Sequence, residues 1–113
     1  EQAAVKAAED WLSLVDTEKY SESWDQASVY FQNALPQEKW VEMVRGVRNP
    51  LGSMKIREVK SSRYKTSVTG APDGEYVIIQ FKTSFENKQS AVETVTPMRQ
   101  QNGVWRVSGY YIK

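Results

Sequence analysis

Apolar residues recur near the start of the chain at Ala4, Ala7, Ala8, Trp11, Leu14 and Val15, with polar and charged residues between them. This three-and-four spacing predicts an amphipathic helix over 3–15. Asp16-Thr17 interrupts the stripe and supplies capping chemistry for a second, short helix in which Tyr20, Trp24 and Ala27 share one side. Val29-Tyr30-Phe31 is predicted as a short extended piece. Pro36 stands where a first helical residue is favoured, with Gln37 and Glu38 in the opening turn of a third helix. Trp40, Val41, Val44 and Val47 give that helix its apolar face, and Asn49-Pro50 with Gly52 stops it.

The period changes from three-and-four to two in the second half. A segment over 53–68 is β-capable but untidy in its alternation. Gly70-Ala71-Pro72-Asp73-Gly74 is a strong turn signal. Beyond it Val77, Ile79, Phe81, Thr83 and Phe85 alternate with Tyr76, Ile78, Gln80, Lys82 and Ser84, which predicts a half-buried strand with odd positions inward. Asn87-Lys88 turns the chain into a strand from Ser90 to about Gln100, where Pro97 marks a bulge or an edge. Asn102-Gly103 is a hairpin signal. The last strand, Val104 to Ile112, places Trp105, Val107 and Tyr111 on one face.

Three helices followed by four strands joined by short turns give an α+β fold. A sheet with one apolar face needs a helical layer over it, so the helices pack on one side of an antiparallel sheet. No internal repeat, low-complexity tract or linker divides residues 1–113, which read as one domain.

Composition narrows the chemistry. The 113 residues include four tryptophans and neither histidine nor cysteine. No disulfide, thiol nucleophile or thiolate metal site is available, nor a Ser-His-Asp triad. Neither motif nor composition points to a cofactor or a metal. No apolar run approaches the roughly 20 residues that span a bilayer. The net charge of +1 is a cancellation: residues 1–50 hold nine acids and five bases, residues 51–113 five acids and ten bases. The chain opens on Glu1 without methionine and enters a helical pattern at once, so it reads as a mature or trimmed fragment.

Several strings carry a family resemblance. They are Ala8-Glu9-Asp10-Trp11-Leu12 with Val15-Asp16, Tyr20 followed by Ser23-Trp24, and Trp40-Val41 leading to Arg48-Asn49-Pro50-Leu51-Gly52. Further on come Gly70-Ala71-Pro72-Asp73-Gly74-Glu75-Tyr76, Gln80-Phe81, the run from Ala91 to Met98, and Trp105-Arg106-Val107-Ser108-Gly109-Tyr110-Tyr111-Ile112. Over nearly its whole length the chain resembles the bacterial family called domain of unknown function 4019. The helical half and curved meander resemble the cone of the nuclear transport factor 2-like superfamily. The resemblance implies a cone-shaped fold and an exported, periplasmic protein with a cleaved signal peptide, and it implies no activity.

Five sets of residues could carry function. Lys55, Arg57, Arg63 and Lys65 all fall on odd positions, so an unbroken strand would show them on one face. That stripe is either a site for phosphate, an acidic glycan or an acidic protein, or a solvated outer strand whose charges discourage edge pairing. Nucleic acid fits less well, because no aromatic stacking motif accompanies the stripe. Glu93 and Arg99 share a side of the third strand, either as polar anchors in a ligand pocket or as a surface ion pair. Trp24 and Trp40 with Tyr111 line an apolar pocket or simply fill the core. A carboxylate–tyrosine pair drawn from Glu93, Asp16 or Asp25 with Tyr30, Tyr64 or Tyr111 would suit an isomerase- or lyase-type enzyme. The leading expectation is a non-enzymatic module binding a small apolar ligand or a protein partner. Tyr76 and Ile78, on the outer sheet face, offer an apolar patch for a homodimer through the sheet.

Overall fold

A computed structural model describes all residues from Glu1 to Lys113. The elements run α1 (Gln2–Asp16), α2 (Tyr20–Asp25), α3 (Val29–Ala34), α4 (Gln37–Leu51), β1 (Met54–Lys65), β2 (Tyr76–Phe85), β3 (Lys88–Arg99) and β4 (Trp105–Ile112). The strands form one antiparallel sheet in the order β1-β2-β3-β4, with the helices preceding it in the chain. This is the expected α+β architecture, with four helices rather than three. Val29-Tyr30-Phe31 is the first turn of α3, not an extended piece. Ser28 explains the difference: its backbone is extended and its hydroxyl accepts from the Phe31 N–H, capping a helix that β-branched Val29 alone would not suggest.

Helix α1 buries Ala4, Ala8, Trp11, Leu12 and Val15, one stripe laid across the sheet. The alternation in β2 holds: Val77, Ile79, Phe81, Thr83 and Phe85 are all buried. With Val95 and Val107, the strand residues Val77, Ile79 and Phe81 share one core with Trp11, Phe31, Trp40 and Val44. Helix α4 buries Trp40, Val44 and Arg48, three residues spaced by four, so its buried row ends in a cation. Val47 is left half-exposed. Pro50 is accommodated in the last turn, and Gly52 ends the helix with φ +75°. Glycine suits that positive φ, and a Cβ there would also lie 2.9 Å from Glu86 Cβ.

Three register shifts decide which side chains face the helices. In β1 the pairing slips between Met54 and Ile56 and again between Val59 and Ser61. Arg57, opposite Thr83, therefore faces inward, whereas Arg63 lies opposite Ile78 beyond the second slip and faces outward. Lys55 sits within the first slip, so the four cations expected on one face do not share one. In β4 the pairing with β3 slips between Thr96 and Pro97, with Ser108 as the unpaired residue. Of the bulge or edge expected at Pro97, the structure has a bulge, carried by β4 opposite Pro97, while β2 and β3 stay in register from Tyr76 to Thr83 and slip only between Thr83 and Phe85. Beyond Ser108 the faces exchange, and Tyr110 instead of Tyr111 turns toward the core. Asn102-Gly103 makes the expected hairpin, with Gly103 at φ +86° and Gln100 N–H donating to Val104 O. Tyr76 does not form an exposed patch with Ile78. The 70–74 loop folds over it, and its hydroxyl donates to Pro72 O at 2.5 Å.

Candidate functional site

Two features stand out: a buried polar network on the inner sheet face, and an apolar groove beside it. The network gathers one residue from each of six elements. Arg57 on β1 bridges two carboxylates, its Nε donating to Glu93 Oε1 at 2.8 Å and its terminal nitrogens to Asp16 at 2.7 and 3.0 Å. Arg48 from α4 donates to Asp16 Oδ1 at 2.8 Å. Glu93 also accepts from Thr83 Oγ1 at 2.7 Å and from the Tyr110 hydroxyl at 2.5 Å. The Glu93 side chain is 0% exposed and that of Arg57 9%. Two cations and two carboxylates cancel, which makes their joint burial tolerable.

The electrostatics follow from this geometry. Burial works against the charge of Asp16, but hydrogen bonds and charge from Arg57, then Arg48, outweigh it and hold the carboxyl below its ordinary 3.8. Burial also opposes the Arg57 charge, and its bonds to Asp16 and the charge of Glu93 more than compensate, so the guanidinium stays protonated. Burial, reinforced by the Glu93 carboxylate, pushes the Tyr110 hydroxyl far above its usual range. It remains a donor at any physiological pH. A depressed carboxyl contributes stability above the unfolded value near 3.8 and loses it as pH falls through the lower folded value. Asp16→Asn is therefore expected to be less stable than the parent at pH 7, with the gap closing below about pH 4. Urea midpoints measured between pH 2 and 7 check this; a gap that does not change with pH would remove the electrostatic account.

Arg48 is the least satisfied member. Its guanidinium stacks over the Phe85 ring at 4.8 Å, and its Nε and second terminal nitrogen have no hydrogen-bond partner. A polar cleft of about 220 Å³ lies on that side, lined by Asp16, Glu18, Tyr20, Arg48, Ser53 and Glu86 among others.

The groove is a different environment. Seven apolar residues, Trp40, Met43, Val44, Val47, Tyr110, Tyr111 and Ile112, line a volume of about 240 Å³ between α4 and β4. Met43, Val47 and Tyr111 are 56%, 50% and 55% exposed. Below the groove the interior is filled: Trp40 packs on Trp11 at 5.7 Å and edge-on to Phe31 at 5.1 Å, while Trp11 meets Tyr110 at 5.4 Å. The Trp11 and Trp40 indoles donate to Ser23 O and Ser23 Oγ.

A model of a family of proteins of unknown function, DUF4019, matches residues 7–110. The chain belongs to that family. No curated protein matches it. In this DUF4019 chain the candidate residues separate. Trp40 and Tyr111 both line the groove, Tyr111 from the opposite face to the one expected. Trp24 is half-buried against the core and donates to Leu35 O at 2.7 Å. Glu93 is buried, but its cation is Arg57; Arg99 lies at the far end of the sheet in an exposed pair with Glu75 at 3.1 Å. Lys55, Arg63 and Lys65 are exposed, and Arg57 is not part of any surface stripe.

Arg48 is not among the candidates that the sequence offers, and the alternation of β4 favours Tyr111 over Tyr110 for the buried hydroxyl. Arg48 did leave a signal, since it continues the Trp40–Val44 row by one more step of four. Tyr110 left only the adjacent Gly109, a residue that often accompanies a bulge.

Proposed function

We propose that this DUF4019 protein is a non-enzymatic binding module whose ligand surface is the apolar groove between α4 and β4. The groove itself carries the reading: seven uncharged, largely apolar side chains, polar only at two tyrosine hydroxyls, three of them about half exposed beside the aromatic core. The enzyme alternative needs a carboxylate free to take a proton. The one carboxylate–tyrosine pair in the interior, Glu93 with Tyr110, is enclosed, and Glu93 is already engaged by Arg57 and Thr83. Its geometry suits a structural role. An exported, periplasmic setting and kinship with the nuclear transport factor 2-like cone belong to the same proposal and rest on the sequence resemblance.

The test uses the dye 8-anilinonaphthalene-1-sulfonate as an apolar probe. Met43→Glu/Val47→Glu places two charges where the wild-type side chains already meet water, so the melting temperature should move by only a few degrees. Dye affinity should fall roughly tenfold, the loss of about one buried side chain's transfer free energy. Unchanged dye affinity in the folded variant would overturn the groove as binding surface.

A further inference from the structure

The two edges of the sheet are built differently. β1, at one edge, carries the exposed charges of Lys55, Glu58, Lys60, Arg63 and Lys65 and is broken by two register shifts. Charges and bulges of this kind keep an open edge from pairing with another chain. β4, at the other edge, ends in Ser108-Gly109-Tyr110-Tyr111-Ile112, without a charge.

The register also shows which backbone groups of β4 are free. Val92 and Lys113 exchange both of their hydrogen bonds, at 3.1 and 3.0 Å. In an antiparallel pair such residues alternate with ones whose N–H and C=O point away from the partner. Thr94 with Tyr111 and Thr96 with Gly109 are then the bonded pairs. The amides and carbonyls of Tyr110 and Ile112 point outward, where no other group of the protein bonds them. On the near side of the bulge the outward carbonyl of Val107 is already taken, by Ser28 N–H at 2.8 Å. The vacant edge therefore runs from Ser108 to Ile112, alongside the groove lined by Trp40, Met43, Val47 and Ile112.

We propose that this edge receives an extended peptide segment of another protein as a fifth strand, its alternate apolar side chains seated in the groove. Four unpaired backbone groups demand a ligand that supplies complementary N–H and C=O at strand spacing, which a small apolar molecule or a helix cannot do. The groove on one face then selects apolar residues at every second position. This mode rests on the binding-module reading and adds the chemistry of the partner.

Nine-residue peptides would be selected by phage display on the immobilised protein, synthesised with both ends blocked, and each N-methylated in turn. N-methylation at alternate residues should weaken binding at least tenfold, and methylation between them should leave it unchanged. Hydrogen exchange at Tyr110 and Ile112 should slow at least tenfold in the complex. Ile112→Pro removes an outward N–H and no ladder bond but also a groove side chain, so it should lose at least tenfold more peptide affinity than Ile112→Ala, which removes the side chain alone.

Peptides that bind without alternation, with exchange at Tyr110 and Ile112 unchanged, would overturn the fifth-strand mode and leave the groove reading standing. A selection that yields no peptide competing with the dye would overturn it as well. So would sedimentation showing a dimer with both amides already protected, because a second copy would then own the edge. Peptide binding indifferent to Met43→Glu/Val47→Glu would instead remove the groove reading itself.

Discussion

Arg57→Met should cost about 3–5 kcal/mol of folding stability, the range observed when one partner of a buried ion pair is removed. Arg57 is the one cation touching both Asp16 and Glu93, so its loss strands Glu93, 0% exposed, with only neutral donors from Thr83 and Tyr110. Asp16 keeps Arg48 at 2.8 Å and suffers less. The expected loss is a large share of the roughly 5–15 kcal/mol that holds a domain of this size together. Urea denaturation at pH 7 measures it. Arg57→Met/Glu93→Met removes both charges and should be much less damaging than the sum of the single changes, since an apolar pair of similar volume can replace a buried ion pair. A loss below about 1 kcal/mol for the single variant would show that the network is hydrated and of little consequence.

Trp40→Ala should be comparably severe, costing about 3–5 kcal/mol and lowering the melting temperature by about 10–25 °C. Trp40 is 5% exposed and touches Trp11, Phe31 and Tyr110, so truncation opens a void where three aromatic rings lose a common neighbour. It also removes the indole donor to Ser23 Oγ, although that hydroxyl keeps its own bond to Tyr20 O. Trp40→Phe should retain most of the ring packing and cost about half as much or less. Because Trp40 also lines the groove, the alanine variant should take up the dye more readily while being less stable. Calorimetry and dye titration on the same samples check both halves; a melting temperature within a few degrees of the parent would mean the groove side of the core is not tightly packed.

The two variants probe what is easy and what is hard to see in a sequence. Trp40 lies on a regular apolar stripe, and position within a stripe is local information: the helical period places it on the buried face whatever the rest of the chain does. The same holds for the odd residues of β2, where an unbroken alternation from Tyr76 to Phe85 matches the observed burial of Val77, Ile79, Phe81, Thr83 and Phe85. Arg57 is the opposite case. Its odd position aligned it with Lys55, Arg63 and Lys65, and the shifts in β1 broke that alignment. Tyr110 and Tyr111 exchanged roles for the same reason, through the unpaired Ser108.

The chain's own pattern of apolar periods, turn residues and caps determined that helices come first, that an antiparallel sheet follows, and which face of α1 and β2 is buried. These follow from the geometry of each element by itself. The tertiary structure alone decided which charges meet inside and which edge stays open. A bulge adds one residue on one strand and inverts every side chain beyond it, and whether it forms depends on the neighbouring strand rather than on the residues that carry it. The buried quartet of Asp16, Arg48, Arg57 and Glu93 spans four elements, so no local spacing could have announced it.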